Sequence, residues 1–221
     1  MRRPQGFLLI LLPLWLSAQG FYMPEGESGG MLNFYYGQTQ KGFVHNTALS
    51  YSHEGRLTMG IAFQTATYAA SQLDWNFVSL AGKYHWLKPQ REGDWASDLL
   101  ISYSYGDFKA PQYEYQPWDN TGSEFAGGLV VGYLLVDDMG FKVQPKLSTR
   151  YFYQVVEFQD SATGRNETDE ENGYRINLTF DMLVGLDRDK SILLTPYLHF
   201  GQDIFIWGGQ IGFILGKVYA S

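Results

Sequence analysis

The stretch Ser123 to Tyr153, SEFAGGLVVGYLLVDDMGFKVQPKLSTRYFY, decides how the rest of the chain is read. From Phe141 onward, Phe141, Val143, Pro145, Leu147, Thr149 and Tyr151 alternate with Lys142, Gln144, Lys146, Ser148 and Arg150. Successive side chains of a strand point to opposite faces, so one face of this strand is apolar and the other polar and cationic. The preceding run sets Phe125, Gly127, Leu129, Val131, Tyr133 and Leu135 against Glu124, Ala126, Gly128, Val130 and Gly132. The tight acidic turn Asp137-Asp138-Met139-Gly140 joins the two runs as a hairpin. Repeated around a closed sheet, such a hairpin turns its apolar faces toward lipid and its polar faces inward.

The same alternation recurs on both sides of this hairpin. Before it come runs at Met31 to Gly37, Phe43 to His53, Leu57 to Ala66, Asp74 to Leu87, and from Trp95 to Tyr105. After it come Tyr174 to Val184, Ile192 to Phe200, and a last run ending Ile211, Phe213, Leu215. The connections after the second, fourth, sixth and eighth runs are short and charged: Glu54-Gly55-Arg56, Lys88 to Gly93, Asp137 to Gly140, and Asp187 to Lys190. The two longest loops, Asp107 to Gly122 and Glu157 to Gly173, follow the fifth and seventh runs. Short turns on one side and long loops on the other predict an all-β, closed, antiparallel up-and-down transmembrane β-barrel with both termini on the periplasmic side. The count is about ten strands, or eight if the first run or the last hairpin is not strand.

Composition agrees. Aromatic residues make up 17% of the 221 residues, yet the mean hydropathy is only −0.22, because apolar residues are diluted one for one by polar ones. Residues 1–20 read as a signal peptide: Arg2 and Arg3, an apolar stretch from Gly6 to Leu16, then Ala18-Gln19-Gly20, with cleavage after Ala18 or Gly20. Residues 21–29 form a short linker, and 30–221 the barrel domain. Losing two arginines with residues 1–20 takes the net charge from −7 to −9. That acidic balance argues against a nucleic-acid partner, which calls for a basic patch. No cysteine is present, so no disulfide framework or cysteine-linked lipid anchor exists. Past the signal segment, no run of ~18 apolar residues offers a helical span, so a membrane would be crossed by strands.

The chain here resembles the bacterial outer-membrane β-barrel proteins as a class, over about residues 30–221. The resemblance rests on the signal segment, the alternating runs, the aromatic-rich run ends and the absence of cysteine. It implies a place in the outer membrane, with outer-membrane lipid and the barrel assembly machinery as partners. Such proteins finish on a strand with a terminal aromatic residue; here Tyr219 is in phase with Phe213 but is followed by Ala220 and Ser221.

The polar face holds Lys83, His85, Asp98, Glu124, Lys142, Lys146, Arg150, Arg175 and Asp181, which predicts a lumen charge cluster. Pairing the seventh and eighth runs across the acidic loop places Arg150 nearly opposite Asp181. The charges can neutralise one another inside, as buried ions must, or line a narrow pore that favours anions. A barrel of about ten strands is largely filled by its own side chains, against an open channel. Catalysis at the outer rim would need a histidine, a hydroxyl and an acidic partner together. His45 has only Thr47 beside it in phase and His199 only Asp203 close in sequence, so no residue is assigned to catalysis. The acidic loop lacks the alternating ligand spacing of a calcium site, and neither metal nor cofactor is implied. Tyr113, Tyr115 and Trp118 form the loop most suited to recognition, since such side chains concentrate binding energy. Trp75, Trp86, Trp95 and Trp207 near run ends fit an aromatic girdle. The expected role is structural, surface-interacting or narrow-pore, toward small solutes or an extracellular ligand. The alternatives left open are a lipid or peptide hydrolase at the extracellular rim and a soluble exported barrel with an apolar lumen.

Overall fold

The computed structural model describes residues 23, 26–39, 42–68, 73–109, 118–138, 140–160, 164–201 and 205–217. Eleven strands follow one another: β1 (Gly29–Thr39), β2 (Gly42–His53), β3 (Leu57–Tyr68), β4 (Leu73–Leu87), β5 (Trp95–Lys109), β6 (Trp118–Tyr133), the short β7 (Val136–Asp138), β8 (Phe141–Asp160), β9 (Arg165–Asp187), β10 (Lys190–Phe200) and β11 (Phe205–Leu215). Every long strand pairs antiparallel with its sequence neighbour, β6 with β8, and β1 with β11, so ten long strands close the barrel. The expectation of about ten strands is met. The short β7 prolongs the β6 side of the β6–β8 hairpin.

The stagger can be read from the pairing. From Gly37, the paired residues lead through Val44, Ala66, Trp75, Phe108 and Asn120 to Phe158 on β8. In the other direction they lead through Gly208, Tyr197 and Thr179 to Lys146, which lies twelve residues earlier on the same strand. That displacement for ten strands goes with a tilt of about 40° from the barrel axis.

Alternation assigns the faces. Leu49, Phe63, Leu80, Ile101, Phe125, Leu147, Leu178 and Ile211 point outward and are exposed, while Asn46, Gln64, Ser79, Ser102, Ser148, Asn177 and Gln210 point inward and are buried. Apolar outside and polar inside is the opposite of a soluble barrel holding an apolar ligand. Outward aromatics gather near the two ends of the belt. Trp86, Trp95 and Tyr133 lie at the end that carries the four short turns, and Tyr36, Phe43, Tyr151, Tyr174, Phe205 and Trp207 toward the other. Trp75 departs from this girdle: it is only 3% exposed, faces inward and stacks on Phe77 at 5.8 Å.

The turns explain themselves locally. Glu54 (φ 49°) and Gly55 (φ 60°) make the two-residue, positive-φ hairpin that matches strand twist, closed by Arg56 N–H to the His53 carbonyl at 3.0 Å. Proline leaves marks because it has no N–H to give the ladder. The β9–β10 pairing skips from Leu194↔Met182 to Tyr197↔Thr179, while β10–β11 runs unbroken through Pro196↔Gly209. The missing donor therefore faces β9, opposite Phe180. The β6–β8 pairing likewise stops at Gly132↔Lys146, one residue short of Pro145.

Met23, in the expected linker, is buried with Met31, Leu134, Leu183, Leu193 and Ile214 and forms an apolar floor under the turn end of the lumen. Gly29 permits this approach, since a Cβ there would lie 2.3 Å from the Leu215 carbonyl oxygen and 2.5 Å from Met23 Cε. The expected acidic loop, 157–173, is instead mostly strand: β8 runs to Asp160 and β9 starts at Arg165. Much of the other expected loop, 107–122, is also strand. The signal segment, Tyr113, Tyr115 and Tyr219 lie outside the described residues.

Candidate functional site: a filled lumen beneath a raised wall

The lumen charges sort into two layers along the axis. Near the turn end, β4 and β5 bring Lys83 and His85 to Asp98. Lys83 Nζ lies 3.7 Å from Asp98 Oδ2, and His85 Nδ1 lies 2.8 Å from Asp98 Oδ1. The other ring nitrogen of His85 is 2.9 Å from Thr58 Oγ1 on β3. Across the same layer, Lys146 Nζ of β8 meets Asp181 Oδ2 of β9 at 2.7 Å, and the Thr195 hydroxyl of β10 donates to Asp181 Oδ1 at 2.7 Å. Lys83 also lies within electrostatic reach of Asp181 and Lys146, so the two ion pairs form one layer over four strands, β4, β5, β8 and β9.

Farther from the turns, Arg175 of β9 reaches past β8 to Glu124 of β6, with Nη1 2.9 and 2.8 Å from the two carboxylate oxygens. Its guanidinium stacks on Phe152 at 3.8 Å. Arg150 lies within reach of Arg175, Glu124 and Tyr35. His199 is bonded through Nδ1 to Asn177 Oδ1, and the Asn177 amide donates to Ser148 Oγ at 3.0 Å. Tyr35 stacks on Tyr197 at 4.3 Å, and the Tyr197 hydroxyl donates to the Tyr36 carbonyl at 3.0 Å.

Of the eight residues expected in the charge cluster, Lys83, Asp98, Glu124, Lys146, Arg150, Arg175 and Asp181 are buried in the lumen. Lys142 sits apart at the turn end and pairs with Asp137 at 3.0 Å. The expected Arg150–Asp181 opposition is wrong. With the hairpin turning between Asp160 and Arg165, Arg150 stands opposite Arg175, and Asp181 opposite Gln144. The two arginines are tolerated side by side because Glu124 engages one of them and lies within reach of the other; unpaired burial would cost several kcal/mol per ion. Sequence reasoning missed Thr58, Thr195, Tyr35, Tyr197, Asn177 and Ser148. Their phase on each strand marked them as inward, but which of them meet depends on curvature and stagger.

His45 points outward between Tyr36 and Phe43, at ring distances of 5.1 and 5.2 Å, and belongs to the girdle. His199 has an asparagine rather than a carboxylate on its ring. Among the described residues neither forms the rim constellation that hydrolysis would need, and Asp203 lies outside them. The one hydroxyl–imidazole–carboxylate chain among the described residues, Thr58–His85–Asp98, lies at the turn end.

Above the belt the strands do not stop together. β6 and β8 remain paired up to Trp118↔Asp160, and β8 and β9 up to Asp160↔Arg165, whereas β10 ends at Phe200. A wall of β6, β8 and β9 therefore rises on one side of the mouth. Trp118, expected in a loop, begins β6 at the top of this wall.

No family model matches the sequence, and no curated protein sequence matches it. Its fold has solved counterparts. The translocator domain of the autotransporter NalP from Neisseria meningitidis superposes with a TM-score of 0.56 at 10% identity, covering 88% of this chain and 89% of that one. The β-domain of the Bordetella autotransporter Brka superposes with a TM-score of 0.50 at 13% identity, covering 87% and 99%. The chain thus has the closed-barrel fold of the bacterial outer-membrane β-barrel proteins, and its apolar outer belt is that of a membrane-spanning barrel.

Proposed function

We propose that this chain is a non-conducting barrel of the bacterial outer membrane whose working surface is the raised wall, facing the cell exterior, with the short turns and both termini in the periplasm. The observation that carries this reading is the filled lumen. Two hydrogen-bonded charge layers and the Met23 floor occupy the space that a pore would need, and ions would have to break desolvated pairs to pass. The longest strands all lead into the wall, so the chain invests its length above the membrane. Partners by this reading are outer-membrane lipid around the belt, the assembly machinery during insertion, and a ligand or surface met by the wall.

The test is single-channel recording on refolded protein inserted in a planar lipid bilayer. Silence from inserted wild type, with steps appearing once Lys146 and Asp181 are both replaced by alanine, supports a plugged barrel. Stable wild-type steps, altered by Arg150→Ala, would establish the narrow-pore role instead. A hydrolytic reading is favoured by one observation, the order hydroxyl, imidazole, carboxylate in Thr58–His85–Asp98. It requires that cleavage of a simple ester by the folded barrel vanish in both Thr58→Ala and His85→Ala. Failure to see any cleavage removes it.

A further inference from the structure

Among the described residues, the stagger of the barrel leaves the upper part of β9 without a neighbouring strand on its β10 side. β10 accompanies β9 only as far as Phe200↔Ile176, whereas β9 continues along β8 to Arg165↔Asp160. Among the described residues, nothing pairs with the far side of β9 between Arg165 and Arg175.

Which backbone groups point to that side follows from the ladder. Gly185 N–H donates to the Gly140 carbonyl at 2.8 Å, so odd-numbered residues of β9 aim their N–H and C=O at β8. The lapse opposite Pro196 shows independently that Phe180, an even-numbered residue, addresses β10. Continued upward, this alternation makes Asn166, Thr168, Glu170, Asn172 and Tyr174 present donors and acceptors to the empty side. Side chains alternate as well. Glu167, Asp169 and Glu171 share the inner face with Arg175 and Asn177, while Thr168, Glu170, Asn172 and the exposed Tyr174 take the outer one.

We propose that this edge is a docking strand for an extended cationic polypeptide segment, added to the sheet by main-chain pairing, with lysine or arginine at every second position beside Glu167, Asp169 and Glu171. An unpaired edge is a template for another strand. Cross-strand neighbours of opposite charge attract and like charges repel. A second copy of this chain is the wrong occupant, because pairing two β9 edges sets acid against acid. The inner-face carboxylates thus do two things: they guard the edge against self-association and select a basic partner. The inference deepens the proposed surface role and rests on the wall facing outward.

The experiment uses full-length protein in detergent micelles with a decapeptide of alternating Lys and Thr, and its Glu-Thr counterpart as control. The Lys-Thr peptide should slow amide exchange at Thr168, Glu170 and Asn172 by about tenfold, and the Glu-Thr peptide should not. The effect should fade at ~1 M salt, where charges are screened beyond about 3 Å. Thr168→Pro removes a donor from the open edge and none from the β8 ladder, so the barrel should fold and the slowing should be lost. Asp169→Lys combined with Glu171→Lys should transfer the preference to the Glu-Thr peptide. No slowing in folded wild type, equal slowing by both peptides, or undiminished slowing in Thr168→Pro would each overturn the assignment. A Thr168→Cys variant labelled with an impermeant maleimide on intact cells separates the two readings. Binding in micelles without labelling on cells sinks the outward orientation and leaves the edge standing. Labelling without binding sinks the edge alone.

Discussion

β9 passes through two solvents in its 23 residues, and comparing its two parts shows what each position encodes. In the lower part the outward residues are Phe180, Leu178, Ile176 and Tyr174; in the upper part they are Asn172, Glu170, Thr168 and Asn166, all exposed. Backbone, pairing partner and period of two are unchanged. Only the outward set changes, and it changes at Tyr174, whose ring meets Tyr151 edge-on at 5.3 Å. The inner face switches in step. Below the change, Arg175 and Asp181 are buried; above it, Glu167 and Asp169 are exposed. Alternation therefore specifies the strand, while the identity of every second residue specifies what surrounds it.

The largest effect should come from removing one buried ion. Asp181→Ala strips both Lys146 and Thr195 of their acceptor and leaves an ammonium in the lumen, a loss of about 3–5 kcal/mol. The urea midpoint of unfolding from lipid vesicles reads it. Asp169→Ala, on the same face of the same strand but in the wall, should stay within about 0.5 kcal/mol. Equal losses at the two positions would break the comparison. Replacing Lys146 and Asp181 together by Met and Leu should recover most of the loss, because burial of an unpaired charge rather than the pair itself sets the cost.

The outer face offers the next largest contrast. Leu178→Arg puts a cation into the apolar belt and should cost about 2–4 kcal/mol. Thr168→Arg, ten residues up the same face, should cost about 0.5 kcal/mol or less. A smaller change of opposite sign is expected at Pro196. Pro196→Ala restores an N–H opposite Phe180, inside a belt where water cannot replace it, and should add about 1 kcal/mol. The greater freedom of the unfolded chain offsets part of this gain. Reappearance of a protected amide at position 196 would show that the ladder has closed.

The same contrast explains what the sequence made legible. The belt could be read because its outward residues are apolar and its inward ones polar, so Leu129, Leu147 and Leu178 mark the face whatever their partners are. In the wall both faces are polar, and residues 157–160 and 165–173 carry no such signature; they read as a loop although they are paired strand. The misplaced turn then displaced the register, setting Arg150 against Asp181 rather than Arg175. The inward charges were recoverable from phase alone, and so was the inward Trp75, which lies two residues from Phe77 and four from Ser79. Contacts that skip a strand were not recoverable. Glu124–Arg175 spans β6 to β9 and Tyr35–Tyr197 spans β1 to β10, and both depend on a closure and stagger that no local pattern carries.

The smallest expected effect lies at the other aqueous end, in the turn between β4 and β5. The Asp94 carboxylate accepts the backbone N–H groups of Gln90 at 3.0 Å and Arg91 at 3.1 Å, with Arg91 Nε 3.6 Å away. The bond from Gln90, followed by that from Arg91 and the nearby guanidinium, holds this carboxyl below its ordinary range. A carboxyl whose pKa is lower folded than unfolded stabilises the fold above its unfolded value, about 3.9, and loses that contribution as pH falls through the folded value. Wild type and Asp94→Asn should therefore differ slightly in urea midpoint at pH 7, and the difference should close as the solution is acidified below about pH 4. A difference that persists unchanged in strong acid would mean that Asp94 acts through the shape of the turn rather than through its charge.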